Sequence, residues 1–158
     1  MDTVDRFIYY SELVGNTNTI KSKAELESLL DSNEEFEYVN LSSFNKLKEI
    51  IVNEKGIKKS IVEADLAIAE TGTIVINNKN ELLRRATSLS EELCIVIPKS
   101  KIVDTIEDTE NFMHSLTEEE SAYITFITGA SRTADIELIL AMGVHGPLKV
   151  NVFIILDM

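Results

Sequence analysis

The side chains best suited to chemistry lie in residues 128–137, TGASRTADIE, between a stretch typical of a buried strand and a stretch with helical periodicity. Gly129 allows the backbone to turn closely after the strand, and Ser131 or Thr133 can cap the helix by accepting a bond from an unpaired amide. A helix N-terminus that carries free amides, two hydroxyls and the Arg132 guanidinium is a suitable receptor for phosphate or carboxylate. This stretch is therefore a candidate anion-binding site.

Arg132 is the residue of this stretch that helix capping does not explain. Asp135 lies in the first helical turn, where the helix dipole favours a negative charge, but the same dipole disfavours a cation. A buried or half-buried arginine is normally paired. We therefore expect Arg132 to bind either an external anion or an internal carboxylate such as Glu70.

A second polar loop, AETGT, occupies residues 69–73. Glu70 follows the apolar run LAIA and precedes a turn, which places its carboxylate at the end of a strand. Beside Thr71, Gly72 and Thr73, this carboxylate could act as a general base, a nucleophile or a structural acceptor for loop amides. Spacing alone leaves the three roles open.

A third polar loop, GVHGP at residues 143–147, encloses His145 between two glycines and a proline. Such a loop restricts the imidazole, which could transfer a proton or simply bond a backbone carbonyl. Arg84 and Arg85 are two of the four arginines in the chain. They form either a solvated pair on a helix surface or a second lobe of an anion site.

These loops must be positioned by regular elements, which the apolar periodicity predicts. Helices are predicted at VDRFIYYSELVG, KAELESLLDS, SSFNKLKEIIVNEKG, IKKSIVEAD, NELLRRATSLSEE, residues 104–116 and TADIELILAMG. Strands are predicted at FEYVNL, LAIAE, TIVIN, LCIVIP, AYITFIT and LKVNVFIIL, with a sharp turn at Thr71-Gly72 between LAIAE and TIVIN.

Continuous apolar strands that alternate with helices are typical of a parallel sheet covered on both faces. The pattern predicts a single three-layer, mostly parallel α/β domain over residues 1–158, with a short N-terminal part at 1–55 and a motif-bearing part at 60–158. Ligands of such sheets bind beyond the carboxyl ends of strands, where the three polar loops are expected.

Composition narrows the function further. The formal net charge of −12 repels nucleic acid and anionic membranes, so neither is an expected partner. We expect a cytoplasmic protein, since no signal peptide and no apolar run of ~18 residues is evident. The single cysteine, Cys94, cannot supply the thiolates of an iron–sulfur cluster and is expected to be buried. No metal or cofactor is expected in this chain.

Five motifs together resemble one family. They are ADLAIAETGTIVI, RRATSL, IVIPKSKIV, TGASRTADIE and GVHGP. Their order and spacing are similar to those of the LUD-domain family, the family of lactate-utilization protein C. The resemblance covers the C-terminal two thirds of the chain. The chain departs from the family pattern in its short N-terminal part and at Ala130, where the family commonly has proline.

The resemblance implies a fold similar to the sugar-phosphate isomerase, CoA-transferase and 5-formyltetrahydrofolate cyclo-ligase group. It also implies a cytoplasmic component of a system that oxidises L-lactate to pyruvate, with iron–sulfur clusters in partner subunits. A homo-oligomer is left open.

Two functions remain in view. The first is a non-redox accessory or ligand-binding subunit with an anion pocket at Arg132 and the ETGT loop. The second is an enzyme of CoA-transferase or cyclo-ligase type that uses Glu70 as nucleophile or base on a phosphorylated or CoA-linked substrate. Neither GxGxxG nor GxxxxGK[ST] is present, which favours the first.

Overall fold

Ten described β-strands form the framework of the computed structural model, which describes residues 1–32, 35–49, 56–77, 80–118, 123–129 and 147–158. In chain order they are β1 (Thr17–Lys21), β2 (Tyr38–Leu41), β3 (Lys46–Lys48), β4 (Ile57–Glu63), β5 (Leu66–Ile68), β6 (Thr73–Asn77), β7 (Ser90–Pro98), β8 (Ile102–Val103), β9 (Ile124–Ile127) and β10 (Lys149–Ile155). They form a six-stranded sheet and a four-stranded sheet.

The larger sheet has the strand order β1-β10-β7-β4-β2-β3. Its neighbouring strands pair in parallel, except that β3 runs antiparallel to β2 at one edge. The central strand β7 is buried on both faces from Leu93 to its end at Pro98. This burial explains why LCIVIP is continuously apolar, as parallel strands covered on both faces usually are.

Four α-helices are described: α1 (Thr3–Leu13), α2 (Lys23–Ser32), α3 (Glu81–Leu89) and α4 (Glu110–Leu116). Side chains that favour N-caps start two of them. The Asp2 carboxylate accepts a hydrogen bond of 2.8 Å from the Asp5 amide at the start of α1. The Asn80 side chain accepts bonds from the amides of Leu82 and Leu83 at the start of α3.

Apolar side chains pack on both faces of the larger sheet. On one face, Leu26 of α2 packs against Ile61 and Val96. On the other face, Phe7 of α1 and Ala86 of α3 belong to the main core, together with residues of the smaller sheet. The predicted three-layer, mostly parallel α/β class is confirmed.

The smaller sheet has the order β8-β5-β6-β9 and was not predicted as a separate unit. Strands β5 and β6 are antiparallel and joined by the turn at Thr71-Gly72, as the sequence predicts. A tight turn can join only antiparallel strands, so this hairpin cannot lie side by side within a parallel array. It forms its own layer with β8 and β9 instead.

Most predicted elements are confirmed, including the helices of α1, α2 and α3 and the strands β2, β5, β6, β7, β9 and β10. The helix predicted at residues 104–116 is shorter, with a 3-10 turn at Glu107–Thr109 before α4. The helix predicted at TADIELILAMG lies outside the described residues.

Two helix predictions are wrong. IKKSIVEAD is the strand β4, whose Ser60, Ile61 and Val62 are all buried between β2 and β7. In SSFNKLKEIIVNEKG, the described part is a 3-10 turn at Ser42–Phe44 followed by β3. Asn45, with a φ of 53°, breaks the helical path at this point. Short apolar runs do not distinguish a buried strand from a helix, and the β-branched Ile61 and Val62 favour the strand.

None of the described helices is long and apolar enough to cross a membrane.

Candidate functional site

Three threonine hydroxyls connect two of the polar loops identified in the sequence. The hydroxyls of Thr71 and Thr73 lie 2.8 Å apart, and those of Thr73 and Thr128 lie 3.0 Å apart. Thr73 begins β6 and Thr128 follows β9, and these two strands are antiparallel neighbours. The ETGT loop and the start of TGASRTADIE therefore meet at one end of the smaller sheet.

Both loops follow the carboxyl end of a strand, as predicted, but the strands belong to the smaller sheet. ETGT follows β5, and residues 128–129 follow β9. This end of the smaller sheet is close to the C-terminal end of α1, because the Asn16 side chain contacts both Ser11 of α1 and the Thr128 carbonyl.

Two glycines allow α1 to approach these loops. Gly72 has a φ of +66°, and a Cβ atom there would lie 2.5 Å from the Ser11 amide nitrogen. A Cβ atom at Gly129 would lie 2.7 Å from the Val14 carbonyl oxygen. Real Cβ atoms do not make such contacts with backbone. Glycine is therefore required at both positions if the end of α1 is to pack against these two loops.

Two asparagines at the start of β1 add polar groups to this end of the molecule. The Asn16 Nδ2 group donates to the Ser11 hydroxyl at 3.1 Å and to the Thr128 carbonyl at 3.2 Å. The Asn16 Oδ1 atom is buried without a hydrogen-bond partner in the structure as described. The Oδ1 and Nδ2 atoms of Asn18 are also buried without a described hydrogen-bond partner.

Sequence reasoning missed these asparagines. A signal was present, since NTN places two asparagines at alternate positions at the entry of a strand, where asparagine is disfavoured. Alternate residues of a strand point to one face, so the pattern indicates paired polar side chains on that face.

Glu70 is held by a backbone contact. Its Oε1 atom accepts a hydrogen bond of 2.9 Å from the Ile106 amide, and its own amide donates to the Asp104 carbonyl at 3.0 Å. These bonds join the ETGT loop to the segment after β8. The sequence allows Glu70 to be a general base, a nucleophile or a structural acceptor for loop amides. The bond from the Ile106 amide fits the role of structural acceptor.

Arg84 and Arg85 lie at the other end of the smaller sheet. Arg84 stacks on the Tyr123 ring, with 4.7 Å between the guanidinium carbon and the ring centroid. The Tyr123 amide donates to the side chain of Asn77, the last residue of β6. Arg85 pairs with Glu81 at 3.0 Å on the exposed surface of α3. The structure therefore does not bring this pair together with the threonine hydroxyls, which lie at the first residue of β6.

The remaining predicted site residues are outside the described parts of the chain: Ser131, Arg132, Thr133, Asp135 and His145. Their roles, including the choice for Arg132 between Glu70 and an anion, stay predictions. Gly129, the last described residue before them, lies beside Val14 at the C-terminal end of α1.

Glu63, at the carboxyl end of β4, is a second polar group that sequence reasoning missed. Its Oε2 atom accepts bonds from the hydroxyls of Ser42 at 3.2 Å and Ser43 at 2.9 Å. Its Oε1 atom is buried without a described partner. These bonds fix the 3-10 turn that follows β2, which gives Glu63 a structural role.

Comparison with known proteins identifies relatives over most of the chain. A family model described as the LUD domain matches residues 22–155. Lactate utilization protein C of Anoxybacillus flavithermus is 31% identical over 137 residues, which cover 80% of this chain and 61% of that protein. Lactate utilization protein C of Geobacillus thermodenitrificans is 34% identical over 100 residues, which cover 61% of this chain and 42% of that protein. The chain thus spans about half the length of these curated relatives.

A solved structure has the same fold. The crystal structure of a DUF162 family protein from Deinococcus radiodurans matches with a TM-score of 0.69, covering 97% of this chain and 96% of that one. The identity is 19%, so this likeness concerns the fold alone.

Proposed function

Because the chain belongs to the LUD-domain family, we propose that it is a component of a lactate-utilization system and that it binds a small organic anion. Its role in this proposal is to bind the acid, whereas partner subunits carry the electrons. The proposal sets the chain in the cytoplasm. The names of the relatives from Anoxybacillus flavithermus and Geobacillus thermodenitrificans support the lactate-utilization part of the proposal.

The observation that carries the binding role is the line of hydroxyls from Thr71 through Thr73 to Thr128. It joins the two motifs that sequence reasoning assigned to an anion site. Hydroxyl groups can donate to the oxygens of a carboxylate or phosphate. Arg132, the arginine of TGASRTADIE, follows Thr128 by four positions in the sequence. The same motif therefore contributes a hydroxyl of the threonine line and a cation.

Electron transfer is assigned to partners because of the cysteine content. An iron–sulfur cluster is held by several cysteine thiolates, and these 158 residues contain one cysteine. Oxidation of a hydroxy acid therefore needs a cofactor or a protein beyond the groups this chain supplies. We propose iron–sulfur subunits as those partners.

Thermal unfolding in the presence of lactate, phosphate, sugar phosphates and CoA tests the anion site. A ligand at one hundred times its Kd stabilises the folded state by about 2.7 kcal/mol, which is measurable as a rise in Tm. We expect at least one of these anions to raise Tm and the Arg132→Ala variant to lose that rise.

Arg85→Ala is the matched control, because this substitution removes an exposed arginine whose ion pair with Glu81 lies on α3. It should keep the ligand-dependent rise in Tm. If none of these anions shifts the Tm of the unmodified protein, the proposal of an anion site is wrong.

A further inference from the structure

Asn16 and Asn18 present an unusual set of unused hydrogen-bonding groups at the end of the molecule where the threonine hydroxyls lie. Asn16 is 5% exposed. Asn18 pairs in register with Val152, a member of the main core, so its side chain faces the same layer as α1 and the smaller sheet. Both asparagines precede residue 22, where the match to the LUD domain begins.

Folding alone does not account for these amides. A buried amide group without a partner destabilises the folded state by about 1–3 kcal/mol, and most buried polar atoms in proteins have a partner. Three such atoms occur within two side chains: Asn16 Oδ1, Asn18 Oδ1 and Asn18 Nδ2. A hydrophobic residue at position 18 would avoid the cost, so the amide there is expected to serve a bound molecule.

The types of the unused atoms restrict that molecule. Both protons of Asn16 Nδ2 are used, by Ser11 and by Thr128, which leaves Oδ1 of Asn16 as an acceptor. Asn18 offers one further acceptor and a donor with two protons. A ligand must therefore supply a proton donor as well as acceptors. A bare carboxylate or a fully ionised phosphate has acceptors only and would leave both amide oxygens unmet.

We propose that Asn16 and Asn18 are binding residues that recognise the hydroxyl group of a small 2-hydroxy acid. The hydroxyl donates its single proton to one of the two amide oxygens, which a bare carboxylate cannot do, and the Asn18 Nδ2 group donates to an oxygen of the acid. The bond from Asn16 to the Thr128 carbonyl joins this amide pair to the hydroxyl cluster. The inference rests on the proposed organic-anion function and adds that the site selects the hydroxy acid over the matching 2-oxo acid.

The discriminating measurement is calorimetric binding of L-lactate, pyruvate and propionate to the same protein. Pyruvate and propionate retain the carboxylate but lack the hydroxyl proton. A site that bonds a ligand hydroxyl disfavours an analogue without it, because its own polar groups are left unpaired. We expect lactate to bind at least about tenfold more tightly than either analogue.

Asn18→Leu should remove this preference, since leucine has the same number and branching of side-chain heavy atoms and no hydrogen-bonding group. Thr19→Val is the matched control, because Thr19 is the next residue of β1, is exposed and points to the opposite face. This control should bind lactate as the unmodified protein does. Asn16 is left unchanged, because it also holds Ser11 and Thr128 in place.

The outcomes separate the two proposals. The inference is wrong if the unmodified protein binds lactate and pyruvate equally, or if Asn18→Leu keeps the preference for lactate. Either result would show that the two amides do not bind the ligand hydroxyl, and the proposed organic-anion site would be unaffected. If Asn18→Leu raises Tm and leaves lactate affinity unchanged, the amide holds only water and the inference is wrong. If the unmodified protein binds none of the three acids and no other anion, both proposals fail. The comparison of the three acids needs no variant, so it decides the inference even if Asn18→Leu does not fold.

Discussion

Cys94 is a buried thiol in β7 whose surroundings keep it protonated. Burial in the sheet raises its pKa from 9.0 to about 11, and Glu92 acts in the same direction. A hydrogen bond from Asn151 Nδ2 to the sulfur, 3.8 Å long, acts in the opposite direction and is weaker. A protonated, buried thiol is a poor nucleophile, so the structure agrees with the prediction that Cys94 is a core residue.

The raised pKa of Cys94 predicts a loss of stability in alkaline solution. Between pH 9.0 and about 11, the thiol keeps its proton in the folded protein and loses it in the unfolded chain. Its stabilising contribution is therefore complete below pH 9.0 and disappears as the pH rises through about 11, a change of roughly 3 kcal/mol. Urea unfolding of the protein and of Cys94→Ala across this range measures it.

The difference in unfolding free energy between the two proteins isolates the thiol, because lysines and tyrosines titrate in both. We expect the advantage of the unmodified protein to shrink steadily between pH 9.0 and 11. A constant difference across that range would show that the Cys94 pKa is not raised.

The position of helix α1 depends on two glycines of the smaller sheet's loops. Its C-terminal end lies on the β5–β6 turn at Gly72 and on the loop after β9 at Gly129. This contact orders the segment that leads into Asn16 and β1, where the Asn16 side chain bridges Ser11 and Thr128. The packing of α1 and the geometry of the candidate site therefore depend on the same contacts.

Gly72→Ala should disrupt that arrangement. The new methyl group meets the backbone of Tyr10 and Ser11 at 2.5–2.7 Å, and alanine is also strained at a φ of +66°. We expect the free energy of unfolding to fall by about 3 kcal/mol, measured by urea titration.

Gly56→Ala is a matched control, since Gly56 has a similar φ of +79° and, among the described atoms, its methyl group would meet the Leu89 carbonyl at the longer distance of 3.1 Å. This variant should lose about 1–2 kcal/mol, the cost of the left-handed backbone. Equal losses in the two variants would mean that α1 does not rest on Gly72.

The elements also show what periodicity can predict. Strand β7 and helix α3 are predictable because one is continuously apolar and the other begins with the capping residue Asn80. β4 is not, because Lys58 and Lys59 interrupt the alternation expected of a strand. The Lys59 ammonium reaches Glu35 at 3.1 Å and Glu92 at 3.9 Å, so its charge is met by partners distant in sequence. Local patterns carry no information about such partners.

At the scale of the whole molecule, local sequence patterns predict only part of the candidate site. The motifs around Thr71 and Thr128 were identified from local sequence, and the structure joins them through Thr73. The contribution of Asn16 and Asn18 could not be predicted in this way, since it requires β1 to pair with β10 and α1 to close over the smaller sheet. Pairing between strands at opposite ends of a chain follows from the complete fold.

The net charge of −12 is a property of the whole molecule that predicts its response to salt. Excess like charge destabilises the compact state by self-repulsion. Raising ionic strength from about 10 mM to about 150 mM shortens the screening length from about 30 Å to about 8 Å and weakens that repulsion. Exposed pairs such as Arg85–Glu81 lose some attraction, but each contributes at most about 1 kcal/mol. We therefore expect Tm to rise with sodium chloride over this range.

Glu12→Lys tests the cause of that rise. Glu12 is exposed in the last turn of α1, where the helix dipole favours a cation, so the substitution removes repulsion locally and globally. Its Tm at low salt should exceed that of the unmodified protein, and its rise with salt should be smaller. Glu12→Gln should lie between the two, because it changes the charge by half as much. A Tm that is flat or falls with salt in the unmodified protein would show that attraction between paired charges outweighs the net repulsion.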